Sequence, residues 1–325
     1  MNLRYTGQAP EAEITQLFAP AMEELFAADD KVVYLDADLM GSLKTQELWK
    51  KYPSRVFNCG IQESNMVGVA AGLFIAGYKP YIHSFAPFIT RRVFDQVFLS
   101  IGYGRKSVHL IGSDAGIMAT DNGGTHMCFE DIAMMRTIPD VCVVDVTDAS
   151  HFMALLKSTK DRPGVTYFRT PRRNAPDIYD KAERFEVGRG KVLREGTDAT
   201  IVASGIMVGT ALQAAADLQG KGISVRIIDP ITIKPLDEEL LIRSAVETGL
   251  IITAENHSVY GGLGGAVAEL LSENMPTPVL RVGIRDRFGQ VGPESFLREQ
   301  YGLRAEDIAE KVLEGLKIKI KIKKG

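Results

Sequence analysis

Short runs of apolar residues alternate with longer helical stretches along the first 180 or so residues of the chain. The runs are rich in β-branched residues and end in polar or small ones, which is typical of buried strands in a parallel sheet. Five such runs are KVVYLDADL, KPYIHSF, SVHLIGSD, VCVVDVTD and VTYFRTP. Between them, NMVGVAAGLFIAG and RRVFDQVFLSIGY predict helices. The pattern indicates a parallel sheet covered by helices, in which ligands bind at the carboxyl ends of the strands.

The segment PRRNAPDIYDKAERFEVGRG is charged, rich in Pro and Gly, and predicts a linker. The alternation then restarts, with the strand candidates DATIVASG, SVRIIDP, GLIITAENH and TPVLRVGI and the helix candidates GTALQAAADLQGKG and GGAVAELLSEN. We therefore predict an α/β protein of two doubly wound domains. The first, with a mostly parallel sheet, covers residues 1–178; a linker covers 179–192, and a smaller α/β domain covers 193–318. Residues 319–325 alternate Ile and Lys with a strand period, and predict a frayed basic tail.

Composition narrows the class of protein. The 325 residues are 45% hydrophobic and 24% charged, as in a globular protein. The net charge is −3, with acids and bases interspersed, so no basic stripe indicates nucleic-acid binding. No apolar run reaches the roughly 20 residues that span a bilayer, and the N-terminus lacks the apolar core of a signal peptide. We expect a cytoplasmic protein with neither a membrane nor a nucleic-acid partner. Its three cysteines are too scattered to predict a disulfide framework or a zinc site.

One acid stands where a strand is predicted to give way to a helix. Glu63 lies in FNCGIQESNMVGVAAGLFIAG, at the start of a stretch rich in Gly and Ala. A carboxylate in the first turn of a helix is favoured by the helix dipole. From this pattern alone, a structural role for Glu63 is the simpler interpretation.

Several motifs together change that interpretation. GIQESNM, followed by HSFAPF about 20 residues later, resembles the paired G-I-x-E-x-x-M and S/T-F-x-x-F segments of the transketolase family. GSDAGIMATDNGGTHMCFED is similar to the family's D-G-x-T-H loop. IKPLDEELL, TAENHSVYGGLGGAVAEL and RVGIRDRFGQVG are similar to its C-terminal domain. The resemblance covers nearly the whole chain in the expected order. It implies that the first domain binds the pyrimidine ring of thiamine diphosphate, and that the second is the transketolase C-terminal domain.

The resemblance implies roles for four residues around the cofactor. Glu63 would act catalytically, by hydrogen-bonding to the aminopyrimidine ring and promoting ionisation of the cofactor. Phe85 and Phe88 would provide the apolar slot on which that ring stacks. Asp38, in DADL, is similar to a family acid that approaches the cofactor, although a plain role at a strand end stays open for it.

The same resemblance implies a set of substrate contacts. Asp121 and His126 would contact the hydroxyls of the sugar, with His126 also assisting proton transfer, although five residues separate them where the family usually has four. Arg169, in YFRTP, is similar to an arginine that grips the sugar phosphate, for which a guanidinium is well shaped. At two other phosphate positions the chain has Ser113 in place of a histidine and Thr15 in place of an arginine. The donor is therefore expected to have an unusual anionic end, such as a displaced phosphate or a sulfonate.

The family's other half binds the diphosphate and its metal through a G-D-G motif, which this sequence lacks. The chain also has no clustered set of the hard oxygen ligands that Mg²⁺ or Ca²⁺ prefers, so we predict no metal ligands in it. The resemblance implies that a separate N-terminal transketolase subunit holds the metal and the diphosphate, in an α2β2 assembly. The predicted activity is transfer of a two-carbon ketol unit from a ketose or ketose phosphate to an aldose or aldose phosphate.

Three alternatives stay open. A 1-deoxyxylulose-5-phosphate synthase shares the cofactor and the domains but is normally a single longer chain. The beta subunit of a pyruvate or branched-chain 2-oxoacid dehydrogenase is a separate chain, but the GGTH loop and Arg169 favour phosphorylated sugars. A non-catalytic assembly subunit would keep the fold without needing Glu63 or the two phenylalanines.

Overall fold

The computed structural model describes residues 3–173 and 175–324, in which the strands form two sheets. The first sheet has six strands in the order β2-β1-β3-β4-β6-β5, and every pairing is parallel. Its strands are β1 Val32–Asp36, β2 Val56–Asn58, β3 Lys79–Phe85, β4 His109–Ser113, β5 Cys142–Asp145 and β6 Thr166–Thr170. All five strands that the apolar runs predict in this half are confirmed. The sequence prediction lacked β2, which is only three residues long.

The helices of this half are α1 Ile14–Ala28, α2 Gln46–Lys51, α3 Glu63–Ile75, α4 Ala86–Ile89, α5 Phe94–Gln96, α6 Asp131–Arg136 and α7 Ala149–Ser158. The predicted helix over NMVGVAAGLFIAG is confirmed as α3. The one predicted over residues 91–103 is broken into a 3₁₀ turn at Arg91–Val93, the short α5, and a π-helix at Val97–Tyr103. The side chains of Val97 and Ile101 are still buried in the core. The apolar spacing therefore predicted a buried helical face correctly, but it did not predict the change from α-helix to 3₁₀ and π-helix.

The second sheet has five strands in the order β11-β10-β8-β9-β7. It consists of β7 Lys191–Arg194, β8 Ala199–Ala203, β9 Val225–Asp229, β10 Ile251–Ser258 and β11 Val279–Ile284. Only β7 runs antiparallel, along β9, and it begins inside the stretch assigned to the linker. Helices α8 Met207–Gln219, α9 Glu238–Thr248, α10 Leu263–Asn274, α11 Glu294–Tyr301 and α12 Ala305–Lys324 complete this half. The four predicted strands and two predicted helices are confirmed as β8–β11, α8 and α10.

The end of the chain corrects one expectation. Instead of a frayed segment with a strand period, residues up to Lys324 continue α12. Ile308, Ala309 and Val312 are buried at helical spacing, and they anchor the helix from its first turns. Further along, Nζ of Lys319 donates to the carbonyl oxygens of Asp198 and Thr248 at 2.8 and 2.5 Å. Packing upstream therefore decides the conformation of the Ile–Lys repeat. Within residues 3–173 and 175–324, no helix combines the length and apolarity required to cross a membrane.

Candidate functional site

Three aromatic side chains meet beside the carboxyl end of β3. Phe85 is the last residue of that strand, Phe88 lies in α4, and His126 follows the 3₁₀ turn Gly123–Thr125. The ring centroids of Phe85 and Phe88 are 6.0 Å apart, and the His126 ring lies 5.9 and 5.1 Å from them with its edge toward each. All three side chains are half-buried. We call these three residues the ring cluster; it offers aromatic surface that is partly open to solvent.

Glu63 lies beside the ring cluster. It is the first residue of α3 and only 3% exposed. Its Oε1 accepts hydrogen bonds from the hydroxyl of Ser84 at 3.2 Å and from Nη1 of Arg92 at 2.8 Å. Ser84 directly precedes Phe85, and the guanidinium of Arg92 lies 3.7 Å from the ring centroid of Phe88. A buried carboxylate and two aromatic rings thus come together from residues far apart in the sequence.

The second half of the chain supports the loop that carries His126. A side chain at Gly124 would collide with the carbonyl oxygen of Gly289, at 2.6 Å from the Cβ position. The backbone N–H of Gly292 donates to the carbonyl oxygen of Thr120 at 3.2 Å. Only a glycine at position 124 permits this close approach. The segment after β11 therefore fixes the loop, and Thr125 Oγ1 lies 2.8 Å from Nδ1 of His126.

Arg172 is a functional candidate that the sequence analysis missed. Its guanidinium lies 5.8 Å from the Phe85 ring centroid, and its Nε donates to Oδ1 of Asp114 at 3.0 Å. Desolvation raises the pKa of the buried Asp114 carboxyl, while the nearby Arg172 acts against that rise. Arg172 remains half-buried and therefore presents a cation at the rim of the ring cluster. The paired arginines of TPRR were the available signal, three residues beyond Arg169.

Arg169 does not join the ring cluster. Its side chain is 2% exposed, and its Nε and Nη1 bond to Asp131 at 2.8 Å and Asp145 at 3.1 Å. Its Nη2 donates to the backbone carbonyl oxygen of Asn256 on β10 at 2.6 Å. The guanidinium thus links the two halves of the chain and is engaged by internal partners. With these internal partners the guanidinium has almost no exposed surface for a sugar phosphate in this structure, and the role expected for Arg169 stays a prediction. We call Arg169, Asp131 and Asp145 the buried ion cluster.

Ser113 is also buried, and its hydroxyl is engaged within the chain. Its Oγ lies 3.0 Å from Nε2 of His83, whose Nδ1 lies 2.8 Å from Oδ2 of Asp36. Tyr34 donates its hydroxyl to the same Asp36 oxygen at 2.7 Å. All four side chains are fully buried. The Ser113 hydroxyl thus belongs to a hydrogen-bonded chain of side chains from β1, β3 and β4, and its expected contact with an anionic donor stays a prediction.

Two further predicted residues lie on the surface. Asp38 follows β1 with a positive φ of 64°, and its Oδ1 accepts a hydrogen bond from the amide of Asn58 at 2.9 Å. Asp121 is exposed in the turn before Gly123. Neither has a hydrogen bond or ring contact to the ring cluster among the described residues, so their assigned roles stay predictions.

Two more ionisable groups lie next to the buried ion cluster. Glu255 caps α10 by accepting hydrogen bonds from the backbone N–H groups of Leu263 and Gly264, at 2.7 and 2.8 Å. Burial raises the pKa of Glu255 to about 7, although these two hydrogen bonds act to lower it. Burial also lowers the pKa of His257 to about 4. The junction of the two halves is therefore rich in ionisable groups that are sealed from water.

The chain matches two family models. Residues 11–177 match the transketolase pyrimidine-binding domain, and residues 188–308 match the transketolase C-terminal domain. Over 308 residues it is 44% identical to a 6-deoxy-6-sulfo-D-fructose transketolase subunit of Clostridium sp. (strain MSTE9), covering 95% of this chain and 96% of that protein. It is 37% identical over 301 residues to an apulose-4-phosphate transketolase subunit of Phocaeicola vulgatus, covering 92% and 96%.

A solved structure described as a split gene transketolase, inactive beta4 tetramer, superposes with a TM-score of 0.86. It is 42% identical, and the match covers 94% of this chain and 99% of that one. The two family models, the two relatives and this neighbour agree with the α/β architecture of two domains. The chain therefore belongs to the transketolase family, in which it corresponds to the pyrimidine-binding and C-terminal domains.

Proposed function

We propose that this chain is the C-terminal subunit of a two-chain transketolase that uses thiamine diphosphate to transfer a two-carbon ketol unit from a ketose to an aldose. The observation that carries the proposal is the position of Glu63. It is a buried carboxylate at the carboxyl edge of a parallel sheet, linked through Ser84 and Arg92 to the half-open rings of Phe85 and Phe88. Ligands of such sheets bind at that edge.

The residues fit the aminopyrimidine ring of the cofactor. Phe85 and Phe88 supply a flat apolar contact for the ring, and Glu63 supplies a carboxylate for a ring N–H. When bound, thiamine diphosphate supplies the carbon nucleophile that takes up and releases the two-carbon unit. The role of Glu63 is to hold a proton on the ring nitrogen, and that of the phenylalanines is to exclude water from this contact.

The substrate lies on the side of His126 and Arg172. His126 is placed to hydrogen-bond to sugar hydroxyls and to move a proton during bond cleavage, with Asp121 assisting from the same loop. Arg172 takes the role of anchoring an anionic end, because its side chain stays 21% exposed beside the ring cluster, whereas that of Arg169 is 2% exposed. The related subunits named for a sulfosugar and for a sugar phosphate indicate a substrate with a terminal sulfonate or phosphate. Asp38 contributes from the end of β1 on the cofactor side.

The remaining half of the site belongs to a second chain. An N-terminal transketolase subunit holds the diphosphate and its Mg²⁺ or Ca²⁺, and the two chains assemble as α2β2 in the cytoplasm. The half-open ring cluster lies at the surface of this chain with the buried Glu63 beside it, so a partner that covers this surface closes the site around the cofactor and excludes water from it.

Ketol transfer by purified chains tests the proposal. We expect no turnover from this chain with thiamine diphosphate and Mg²⁺, and turnover when the N-terminal subunit is added. The donors to compare are a ketose phosphate, a sulfoketose and pyruvate, since a synthase or a dehydrogenase would use pyruvate. Full activity of this chain by itself, or use of pyruvate alone, would overturn the proposal.

A further inference from the structure

Arg92 contacts both Glu63 and one ring of the ring cluster. Its Nη1 donates to Oε1 of Glu63 at 2.8 Å, while Cζ of its guanidinium lies 3.7 Å from the centroid of the Phe88 ring. One planar group therefore bridges the carboxylate and one of the two aromatic rings on which the proposed function depends. The side chain of Arg92 is still 43% exposed, against 4% for that of Glu63.

A guanidinium shares its contact chemistry with the ring of the cofactor. It is planar, carries N–H donors along its edge, and stacks on aromatic faces while pairing with carboxylates. The aminopyrimidine ring under the proposed function is also planar, donates an N–H to Glu63 and stacks on an aromatic face. Both groups therefore satisfy the same two partners by the same two kinds of contact.

The two groups also need the same space. A ring that donates to the Glu63 carboxylate and contacts Phe88 must lie between them. The Arg92 guanidinium fills that position, at 2.8 Å from the carboxylate oxygen and 3.7 Å from the ring centroid. Atoms cannot overlap, so Arg92 must turn away before a ring takes up both contacts. Because much of the arginine side chain is in solvent, it can rotate outward with little rearrangement of the core.

We propose that Arg92 is an internal stand-in for the aminopyrimidine, which pairs with Glu63 while the subunit is empty and is displaced when the cofactor binds. The inference rests on the proposed function, since it names what the empty form of that site does. A buried carboxylate without a partner destabilises the fold, and the ion pair with Arg92 offsets this destabilisation before the cofactor binds. The same contact opposes cofactor binding, because only the fraction of molecules with Arg92 turned away is competent to bind.

The neighbouring residue provides a matched control. Arg91 has the same charge and nearly the same exposure, 47%, but its Nη1 pairs with Oε1 of Glu130 at 2.6 Å. An Arg91→Ala variant thus loses one exposed cation and one ion pair without touching Glu63 or Phe88.

The test is calorimetric titration of thiamine diphosphate, with Mg²⁺ present, into the complex of the full chain with the N-terminal subunit. If Arg92 closes the site in about nine molecules out of ten, Arg92→Ala lowers the apparent Kd about tenfold. Arg91→Ala leaves the Kd unchanged. In parallel, thermal unfolding of the cofactor-free chain has a lower midpoint for Arg92→Ala than for Arg91→Ala, because Glu63 loses its partner. The two readouts of Arg92→Ala therefore move in opposite directions, which a merely structural residue would not produce.

Cofactor binding that is equal or weaker in Arg92→Ala than in the wild type overturns the inference. If the alanine variant does not fold, Arg92→Gln replaces it, since glutamine keeps a planar N–H donor without the charge. We then expect the same decrease in apparent Kd relative to the wild type, but a smaller one. If the wild-type complex itself binds no thiamine diphosphate, the proposed function fails, which is a different result from an Arg92 variant that fails to bind more tightly.

Discussion

The ring cluster and the buried ion cluster both lie near the carboxyl ends of the first sheet, but they differ in access to water. Phe85, Phe88 and His126 are half-open, whereas Arg169, Asp131 and Asp145 are wholly enclosed. Charged groups sealed in this way bond to one another and hold the two halves of the chain together. The half-open rings contact one another and keep part of their surface exposed to solvent. Under the proposed function, the same edge of the sheet has a structural part, the buried ion cluster, and a binding part, the ring cluster.

The largest effect is expected from breaking the buried ion cluster. Arg169→Ala leaves the carboxylates of Asp131 and Asp145 without their cation. Removing one partner of a buried ion pair typically costs about 3–5 kcal/mol in the free energy of unfolding. Chemical denaturation of the variant measures the loss. Arg172→Ala is the matched control and is expected to lose less, about 1.5 kcal/mol, the lower end for one hydrogen bond to a charged group. Equal losses in the two variants would erase the distinction between the two regions.

Glu255, next to the buried ion cluster, gives the enclosed region a pH dependence. Its folded pKa is raised to about 7 from the usual 4.5, so the folded chain holds the proton more tightly than the unfolded chain does. The stability that the folded chain gains from this tighter proton binding is fully present below about pH 4.5, and it is lost as the pH rises through about 7. The loss amounts to about 3 kcal/mol in all, with about 1 kcal/mol of it between pH 6.5 and 8.

Glu255→Gln cannot lose this proton and isolates the effect. We expect the free energy of unfolding of the variant, minus that of the wild type, to increase from pH 6.5 to 8. His257 does not disturb this window, because its pKa falls from 6.5 to about 4 on folding, and it changes stability only between those values. Denaturation curves at several pH values provide the measurement. A constant difference across the window would show that Glu255 is already ionised in the folded chain.

On the open side, Arg172 is expected to affect substrate binding more than stability. In the two-chain enzyme, Arg172→Ala loses a charged contact to the anionic end of the donor, worth about 1.5–3 kcal/mol. This corresponds to a KM about 10 to 100 times higher for a phosphorylated or sulfonated donor. Steady-state kinetics with an uncharged ketose serves as the control and should show no such increase. If the variant instead impairs both donors equally, Arg172 does not select the anion.

The smallest effect is expected from a substitution at the border of the buried ion cluster. Ser204, on the second half of the chain, donates its hydroxyl to Oδ2 of Asp145 at 2.7 Å. Ser204→Ala should lower the free energy of unfolding by about 1 kcal/mol and leave the kinetics of the complex unchanged. Ser272, which is exposed, gives a control substitution within about 0.5 kcal/mol of the wild type. A loss of activity in Ser204→Ala would connect the two regions functionally.

The strands were predictable because buried parallel strands require continuous apolar runs, which a sequence displays directly. Glu63, Phe85, Phe88 and His126 were recognised from motifs, and the structure brings them together, although their roles stay proposals. The choice between Arg169 and Arg172 was not predictable. They lie three residues apart, the first within β6 and the second just beyond it. Contacts with Asp131, Asp145 and, from the other half, Asn256 enclose the first one, and no local pattern reveals them.

Other features depended on contacts that no local pattern reveals. The Ile–Lys repeat at the end of the chain fits a strand period and a helix equally well over a few residues, and burial of α12 decides for the helix. Ser113 lies in a GSD turn that is typical of a binding edge, yet its hydroxyl is taken by His83. The pairing of Arg92 with Glu63 joins residues 29 positions apart and has no motif of its own.

Under the proposed function, activation of the cofactor depends most on the Glu63 carboxyl acting on the aminopyrimidine ring. The most direct measurement is the rate of hydrogen–deuterium exchange at the thiazolium C2 of thiamine diphosphate bound to the two-chain complex, followed by NMR after acid quench. We predict that Glu63→Gln slows this exchange at least about 100-fold while the cofactor remains bound, as expected for loss of acid–base assistance. An exchange rate equal to that of the wild type, with the cofactor bound, would contradict the central role of Glu63.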